Sequence, residues 1–146
     1  MARQIMFCPG QGIMPHEDGS AYHPVVATVS LGGPIVLDLY VKDSHDKDES
    51  YISNGPSHET PQFRILQERR SLFIMRNSIY KDFLHGIAET TKDDDLGPHS
   101  ICNWNLLRER DSYNAGWYLR ETRTSLTYRD VLKVSTVGDT LKRLGV

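Results

Sequence analysis

The hydrophobic and polar positions of this chain alternate over short segments, as is typical of β-strands with one buried face. Turn residues such as Gly32, Gly33 and Pro34 separate these segments. Two pairs of segments flank short turns, and each pair predicts a β-hairpin: residues 25–31 with 35–41, and residues 63–66 with 71–75. Residues 1–7 are expected to supply any edge strand. Because strand follows strand at short intervals, the pattern favours a mainly β sandwich or roll.

One segment has a helical pattern instead. Apolar side chains recur four residues apart between residues 79 and 84, which predicts a short helix that is buried on one side. Asn77 or Ser78 would cap this helix, and Gly86 would end it. His85 would then lie at the helix end, where a histidine is ordinarily a hydrogen-bonded packing residue.

Two polar segments lack strand or helix signals, and we predict that both are inserts in a single domain spanning residues 1–146. Residues 43–61 are expected to form a loop in which His45 and His58 are solvated rather than ligating. Residues 91–113 are expected to form an exposed insert with a solvated acidic run at positions 93–95. Trp104 and Trp117 need burial, so part of this second insert should fold back on the body.

Composition narrows the class of protein. With 146 residues, 38% of them hydrophobic, the chain suits one domain. It contains neither a run of about 20 apolar residues nor a charged-then-apolar leader, so we expect no membrane association. Only Cys8 and Cys102 carry thiols, which fits a reducing compartment such as the cytoplasm or nucleus. A formal net charge of -2 argues against strong nonspecific binding to nucleic acids.

Candidate metal ligands lie behind a Pro-Gly loop near the N-terminus. His16 and Asp18 are two residues apart, so in an extended strand their side chains project to the same side. Iron(II) oxygenases bind their metal through two histidines and one carboxylate on one face of an octahedron. The third ligand would therefore be a distant histidine. A turn with solvated polar groups is the ordinary alternative, because such a pair often arises by chance.

A candidate anion site lies near the other end of the chain. Residues 123–129 favour a β-strand, and alternation places Arg123, Ser125, Thr127 and Arg129 on one face. The two arginines would be roughly 20 Å apart and serve two subsites of one groove. A guanidinium flanked by hydroxyl groups suits a carboxylate, because bidentate hydrogen bonds fix its orientation. The alternative is an ordinary solvent-exposed strand face.

Together these residues resemble the AlkB-type dioxygenases, in particular the homologue-six branch of that family. The similar segments cover most of the chain and follow the family's order: residues 9–22, 30–33, 35–40, 70–75, 80–87 and 123–129. The resemblance implies a double-stranded β-helix, or jelly roll, that uses iron(II) and 2-oxoglutarate. It implies the iron ligands His16, Asp18 and His85, and co-substrate contacts from Arg123, Ser125, Thr127 and Arg129.

The resemblance also implies a reaction. Oxygen and 2-oxoglutarate would be consumed, with succinate and carbon dioxide produced, while a C–H bond of the substrate is hydroxylated. If that bond belongs to an N-methyl group of a nucleic acid base, the product loses formaldehyde and the base is demethylated. A base in a duplex would first have to be flipped out. No catalytic residue beyond the metal centre is implied.

The chain departs from the family pattern at three places. Ile5 and Phe7 occupy positions where the family has Asn and Tyr, which hydrogen-bond 2-oxoglutarate. Each missing contact would cost about 1 to 3 kcal/mol of binding free energy. Ser125 stands where the family usually has Asn, although it still offers a hydroxyl. The chain is also N-terminally short, because the family has a longer region before this strand, including the lid over the substrate base.

These departures leave two alternatives to an active enzyme. The first is a catalytically inactive jelly-roll binding domain, in which Ile5 and Phe7 abolish useful affinity for the co-substrate. The second is a truncated fragment that lacks the substrate lid and exposes apolar area. A zinc hydrolase with the same three ligands would not explain the arginine face.

Overall fold

A computed structural model of the protein describes residues 1–42 and 60–132. In these ranges the chain is mainly β, and its antiparallel sheets form a jelly-roll-like sandwich. The elements follow in this order: β1 (Ala2–Phe7), β2 (Ile13–His16), β3 (Tyr22–Ser30), β4 (Ile35–Val41), β5 (Phe63–Gln67), β6 (Leu72–Arg76), α1 (Asn77–Asp82), β7 (Phe83–Ile87), β8 (Lys92–Asp94), two 3₁₀ turns (Trp104–Leu106 and Arg110–Tyr113), β9 (Trp117–Leu119) and β10 (Arg123–Val131). The predicted mainly β fold is confirmed.

Two four-stranded sheets form the body of the sandwich. The first sheet has the strand order β1-β10-β3-β6, and the second has the order β2-β7-β4-β5. The predicted edge strand at residues 1–7 is confirmed, because β1 pairs along β10 from Ala2 opposite Tyr128 to Phe7 opposite Arg123. Apolar side chains of the second sheet fill the space between the sheets: Ile35, Leu37, Leu39 and Ile87. Within the described ranges, no helix is long and apolar enough to span a membrane.

Both predicted hairpins are wrong, because each turn carries the chain from one sheet to the other. β3 pairs with β10 and β6, whereas β4 pairs with β5 and β7. The turn after β3 is bound to the segment that enters β10: the backbone N–H groups of Leu31 and Gly32 donate to the Thr124 carbonyl at 2.7 and 3.1 Å. A Cβ on Gly32 would lie 2.4 Å from the Thr124 nitrogen, so only glycine allows this approach.

The predicted helix is shorter than expected, and His85 lies outside it. α1 ends at Asp82, and Phe83 is already extended, with φ −120° and ψ 145°. His85 and Gly86 belong to β7, so the expected helix end at Gly86 is wrong. The expected cap at Asn77 or Ser78 is also wrong, because Arg76 occupies the cap position without a side-chain hydrogen bond.

The second insert is more buried than its composition suggests. Apolar side chains between residues 96 and 113 pack against the outer face of the second sheet, in a cluster of Val36, Leu66, Leu96, Ile101, Leu107 and Tyr113. Trp104 packs partly buried against this cluster, as expected, but Trp117 is 45% exposed. The prediction of an exposed insert is therefore wrong for much of its length.

Two buried carboxylates hold this insert in place. Glu68 accepts hydrogen bonds from the backbone N–H groups of Arg108 and Glu109 at 2.8 and 3.0 Å. Asp93, predicted to be solvated, is buried and pairs with Arg120. The first insert, together with His45 and His58, lies almost entirely outside the described residues.

Candidate metal and anion-binding site

A cavity of about 80 Å³ lies between the two sheets. A single water needs roughly 10 to 15 Å³ of such space, so the cavity could hold a small organic acid. Six strands supply the residues of interest: Ile5 and Phe7 from β1, His16 from β2, Thr28 from β3, Gln67 from β5, His85 from β7, and Arg123, Ser125, Thr127 and Arg129 from β10. The cavity therefore contains nearly all of the predicted site residues.

Two histidines face each other at one end of this cavity. β2 pairs with β7 so that His16 stands directly opposite His85, and their ring centroids are 4.3 Å apart. The Nδ1 of His16 lies 2.9 Å from the Met14 carbonyl oxygen, which can only accept a hydrogen bond. In the neutral ring the proton is therefore on Nδ1, and the Nε2 lone pair is free for a metal.

His85 is held in its neutral form. Burial is the main cause that lowers its pKa to about 4, with the adjacent His16 as the second cause, against the opposing effect of the Asp18 charge. Two imidazolium rings at this distance would repel each other. A neutral imidazole is the form that binds a metal ion, so His85 needs no deprotonation at neutral pH.

Asp18 is the predicted ligand that the structure places differently. β2 ends at His16, so Asp18 lies beyond the strand, and its Oδ1 pairs with Nη2 of Arg129 at 2.6 Å. Its other oxygen, Oδ2, is buried and has no hydrogen-bond partner in the part of the chain that the structure describes. Within residues 1–42 and 60–132, no group of three His, Cys, Asp or Glu side chains is arranged to hold a metal ion. The structure thus brings the two histidines together, and the charge of Asp18 acts on His85, but among the described residues the three side chains are not arranged as a metal-binding group.

Arg123 is a buried cation surrounded by neutral groups. Its Nη1 donates to Ser125 Oγ at 2.7 Å, and its Nη2 donates to Gln67 Oε1 at 2.6 Å and Ser30 Oγ at 3.2 Å. Its Nε is buried without a partner, and in the part of the chain that the structure describes no carboxylate forms a salt bridge with it. Burial lowers the pKa of Arg123 to about 10, so it stays charged at neutral pH.

The predicted shared face of β10 is confirmed. Arg123, Ser125 and Thr127 are buried, and the side chains between them are more exposed. Thr127 Oγ1 lies 3.4 Å from Thr28 Oγ1 on the neighbouring strand. This face therefore lines the cavity rather than meeting solvent.

Sequence reasoning missed Gln67 and Ser30, which contact Arg123 directly. The sequence pattern predicts a turn at Gln67, which opens the polar run 67–70, but Gln67 is the buried last residue of β5. Ser30 is fully buried at the end of β3. Strand alternation alone would have put Ser30 on the inner face with Val26 and Thr28, but nothing in the sequence pairs it with Arg123.

Ile5 and Phe7 form an apolar wall of the same cavity. In the β1–β10 register, Ile5 stands opposite Ser125 and Phe7 stands opposite Arg123. The predicted departure from the family pattern therefore lies at the anion site itself. An anion held by Arg123 would contact hydrocarbon on this side, where it receives no hydrogen bond.

The side chains of His16, His85 and Asp18 offer the donor atoms that a divalent transition metal prefers, although within the described ranges the three are not arranged as one metal-binding group. Two imidazoles and one carboxylate form the ligand set typical of mononuclear iron(II), and His16, His85 and the unpaired Asp18 Oδ2 supply those atom types. His16 and His85 would hold such an ion directly from facing strands. Asp18 would complete the set through its buried Oδ2.

Comparisons with known proteins agree with the resemblance found in the sequence. No protein-family model matches the chain. The chain is 34% identical over 128 residues to the Danio rerio protein named "Probable RNA/DNA demethylase ALKBH6", covering 86% of this chain and 50% of that protein. It is 27% identical over 134 residues to "Uncharacterized protein L905" of Acanthamoeba polyphaga mimivirus, covering 91% of this chain and 49% of that one.

These similarities relate the chain to the AlkB-type proteins, as the sequence predicted. This relationship rests on the similarity to the Danio rerio protein ALKBH6. The chain spans about half the length of the curated relatives it matches.

Proposed function

We propose that this chain forms the core of an iron(II)- and 2-oxoglutarate-dependent dioxygenase that demethylates a nucleic acid base. One observation carries the proposal: a buried arginine with no carboxylate partner among the described residues shares a cavity with two facing histidines. The arginine suits an organic anion, and the histidines suit a metal ion. A small acid that binds both groups at once is the ligand that this arrangement favours.

Arg123 is the residue that would bind the far carboxylate of 2-oxoglutarate. A buried guanidinium loses its hydration, and neutral partners replace only part of that interaction. A carboxylate would provide the missing negative charge through short, charge-assisted hydrogen bonds. Ser125 and Gln67 already contact the guanidinium, so they would hold its orientation before the ligand arrives.

His16, His85 and Asp18 are the residues that would hold iron(II). When bound, the metal would supply oxygen activation, with 2-oxoglutarate as the electron donor. Two features of the protein favour metal binding by the histidines. The His16 Nδ1 contact with the Met14 carbonyl fixes the ring, and burial keeps His85 neutral.

The overall reaction balances with these reactants. One oxygen atom of O₂ enters succinate as 2-oxoglutarate loses carbon dioxide, and the other enters the substrate's N-methyl group. The resulting N-hydroxymethyl group then releases formaldehyde and leaves an N–H on the base. Support for a nucleic acid substrate comes from the similarity to the Danio rerio protein, which is named as a probable RNA/DNA demethylase.

The test is a turnover assay on the purified chain with iron(II), 2-oxoglutarate and oxygen. We expect succinate without substrate, and more succinate together with formaldehyde when N-methylated DNA or RNA oligonucleotides are added. His85→Ala should abolish both products. Succinate formation that no methylated DNA or RNA stimulates would overturn the nucleic acid substrate but retain the dioxygenase.

An inactive binding domain is the second candidate, and the apolar wall of Ile5 and Phe7 favours it. That wall gives the co-substrate no hydrogen bond beside Arg123. In this case the protein would bind a divalent metal but not 2-oxoglutarate. Calorimetric titration of both ligands separates the two candidates.

A further inference from the structure

Arg120 is a second buried cation, and the proposed reaction does not use it. The side chains of Arg120 and Asp93 are only 2% and 4% exposed. Nε and Nη2 of Arg120 donate to the two carboxylate oxygens of Asp93 at 2.9 and 2.7 Å. This bidentate pair fixes the plane of the guanidinium and leaves Nη1 pointing elsewhere.

The remaining nitrogen joins the two strands that carry the histidines. Nη1 of Arg120 donates to the carbonyl oxygen of Ala88 at 2.6 Å and lies 3.5 Å from that of Gln11. Ala88 directly follows β7, and Gln11 lies just before β2. The backbone N–H of Gly10 also donates to the Thr90 carbonyl at 3.1 Å, so the same two loops are joined twice.

The pairing between these two strands is irregular. β2 and β7 pair at Ile13 opposite Ile87 and again at His16 opposite His85, with a register shift between the two points. Because the ladder is interrupted, the place of His16 relative to His85 depends on how the strand ends are held. Gly12 contributes here, since a Cβ would lie 2.5 Å from the Ile87 carbonyl oxygen and push the strands apart.

We propose that Arg120, oriented by Asp93, is a positioning residue for the metal site. By tying the start of β2 to the end of β7, it sets the spacing between His16 and His85. The inference rests on the proposed function, because it assigns these histidines to a metal. It also predicts a selective effect, since the side-chain hydrogen bonds of Arg120 among the described residues go to Asp93, Ala88 and Gln11, and none goes to β10, which carries Arg123.

The experiment compares wild type with Arg120→Lys, which keeps the charge but loses the planar fork. Iron(II) is titrated calorimetrically under nitrogen, and 2-oxoglutarate is then titrated into the metal-saturated protein. We expect about a tenfold loss of metal affinity in Arg120→Lys, by analogy with changes to groups that orient metal ligands. Its affinity for 2-oxoglutarate should stay within about twofold of wild type.

Glu68→Gln is the matched control, because Glu68 anchors the same insert without touching β2 or β7. We expect it to lower the melting temperature but to keep metal affinity. Equal loss of metal affinity in both variants at similar stability would overturn the inference, as would unchanged affinity in Arg120→Lys. If Arg120→Lys does not fold, Asp93→Asn makes the same test with the arginine retained. Wild type that binds no iron(II) would instead contradict the proposed function.

Discussion

Arg123 and Arg129 lie on one face of β10, six residues apart, and their surroundings differ in one respect. Arg129 pairs with the Asp18 carboxylate at 2.6 Å, and its guanidinium lies 5.7 Å from the centre of the Tyr22 ring. Among residues 1–42 and 60–132, the hydrogen-bond partners of Arg123 are the neutral side chains of Ser125, Ser30 and Gln67. The Nε of each arginine is buried without a hydrogen-bond partner among the described residues, so the difference lies in the carboxylate: Arg129, beside the histidines, has one, and Arg123, farther along the same face, has none.

This difference divides the proposed site into two subsites. A paired arginine orients a carboxylate that the protein already owns, whereas an arginine without an anion is ready to bind one from outside. We infer that Arg129 serves the metal side through Asp18 and that Arg123 serves the co-substrate. If this is correct, each subsite can be damaged without damaging the other.

The largest expected effect is on 2-oxoglutarate binding in Arg123→Met. Removing the charged donor should lower co-substrate affinity by about 100-fold, or roughly 3 kcal/mol, while iron(II) affinity stays near wild type. Arg123→Lys is the control, because it keeps the positive charge without the planar guanidinium and should lose less affinity for 2-oxoglutarate than Arg123→Met. Calorimetric titration measures both ligands, and equal loss of metal and co-substrate would contradict the division.

The next prediction concerns the pH dependence of the histidine end in metal-free protein. Burial and His16 lower the folded-state pKa of His85 from 6.5 to about 4, so the unfolded chain binds more protons between these values. The free energy of unfolding should therefore fall as pH falls through this window, by on the order of 2 kcal/mol.

The measurement is chemical denaturation at several pH values with a chelator present. His85→Gln should remove this part of the pH dependence, because glutamine does not titrate. His23→Gln is the control, since His23 is exposed and its replacement should leave the slope unchanged. A wild-type stability that does not change between these pH values would show that His85 is not held neutral by the fold.

Arg129→Met should produce the reverse of the Arg123 result. Without its partner, Asp18 loses the contact that orients it, and iron(II) affinity should fall about tenfold. Affinity of the metal-saturated protein for 2-oxoglutarate should change little. Titration of both ligands gives the comparison, with Arg129→Lys retaining the charge as the control. A variant that binds metal normally but loses the co-substrate would assign Arg129 to the anion subsite instead.

The smallest expected effect is a gain. Phe7 lines the cavity and stands opposite Arg123, so Phe7→Tyr would add a hydroxyl beside the proposed carboxylate. One hydrogen bond to this carboxylate is worth about 1 kcal/mol or more, so 2-oxoglutarate affinity should rise at least about fivefold. Met6→Tyr is the control, because Met6 is 60% exposed and lies outside the cavity lining. Unchanged affinity in Phe7→Tyr would place the ligand away from this wall.

The sequence predicted the arginine face because strand alternation is a local property. Residues 123–129 alternate buried and exposed positions in the structure as they do in the pattern. Strand partners are not local, and both hairpin predictions were wrong for that reason. The Gly32-Gly33-Pro34 signal correctly marks a reversal, but the turn packs on the start of β10 and sends the next strand to the other sheet.

The histidine site also depends on strand pairing that local sequence patterns do not reveal. No local pattern indicates that His16 and His85 are opposite each other, because their pairing joins strands about seventy residues apart. The family resemblance named both residues as ligands, and the structure brings their rings together. The prediction that Asp93 is solvated was wrong, because Asp93 is buried in an ion pair with Arg120. Composition alone cannot distinguish a carboxylate that is buried with a partner from one that is solvated.

The most direct test of the central claim is the visible charge-transfer absorption of iron(II) and 2-oxoglutarate bound together under anaerobic conditions. This band requires the acid to bind the metal, so it reports both subsites in one spectrum. We predict the band in wild type, its loss in His85→Ala through loss of the metal, and its loss in Arg123→Ala at co-substrate concentrations that saturate wild type. A well-folded wild type that shows no band would contradict the claim that Arg123 and the two histidines form one centre.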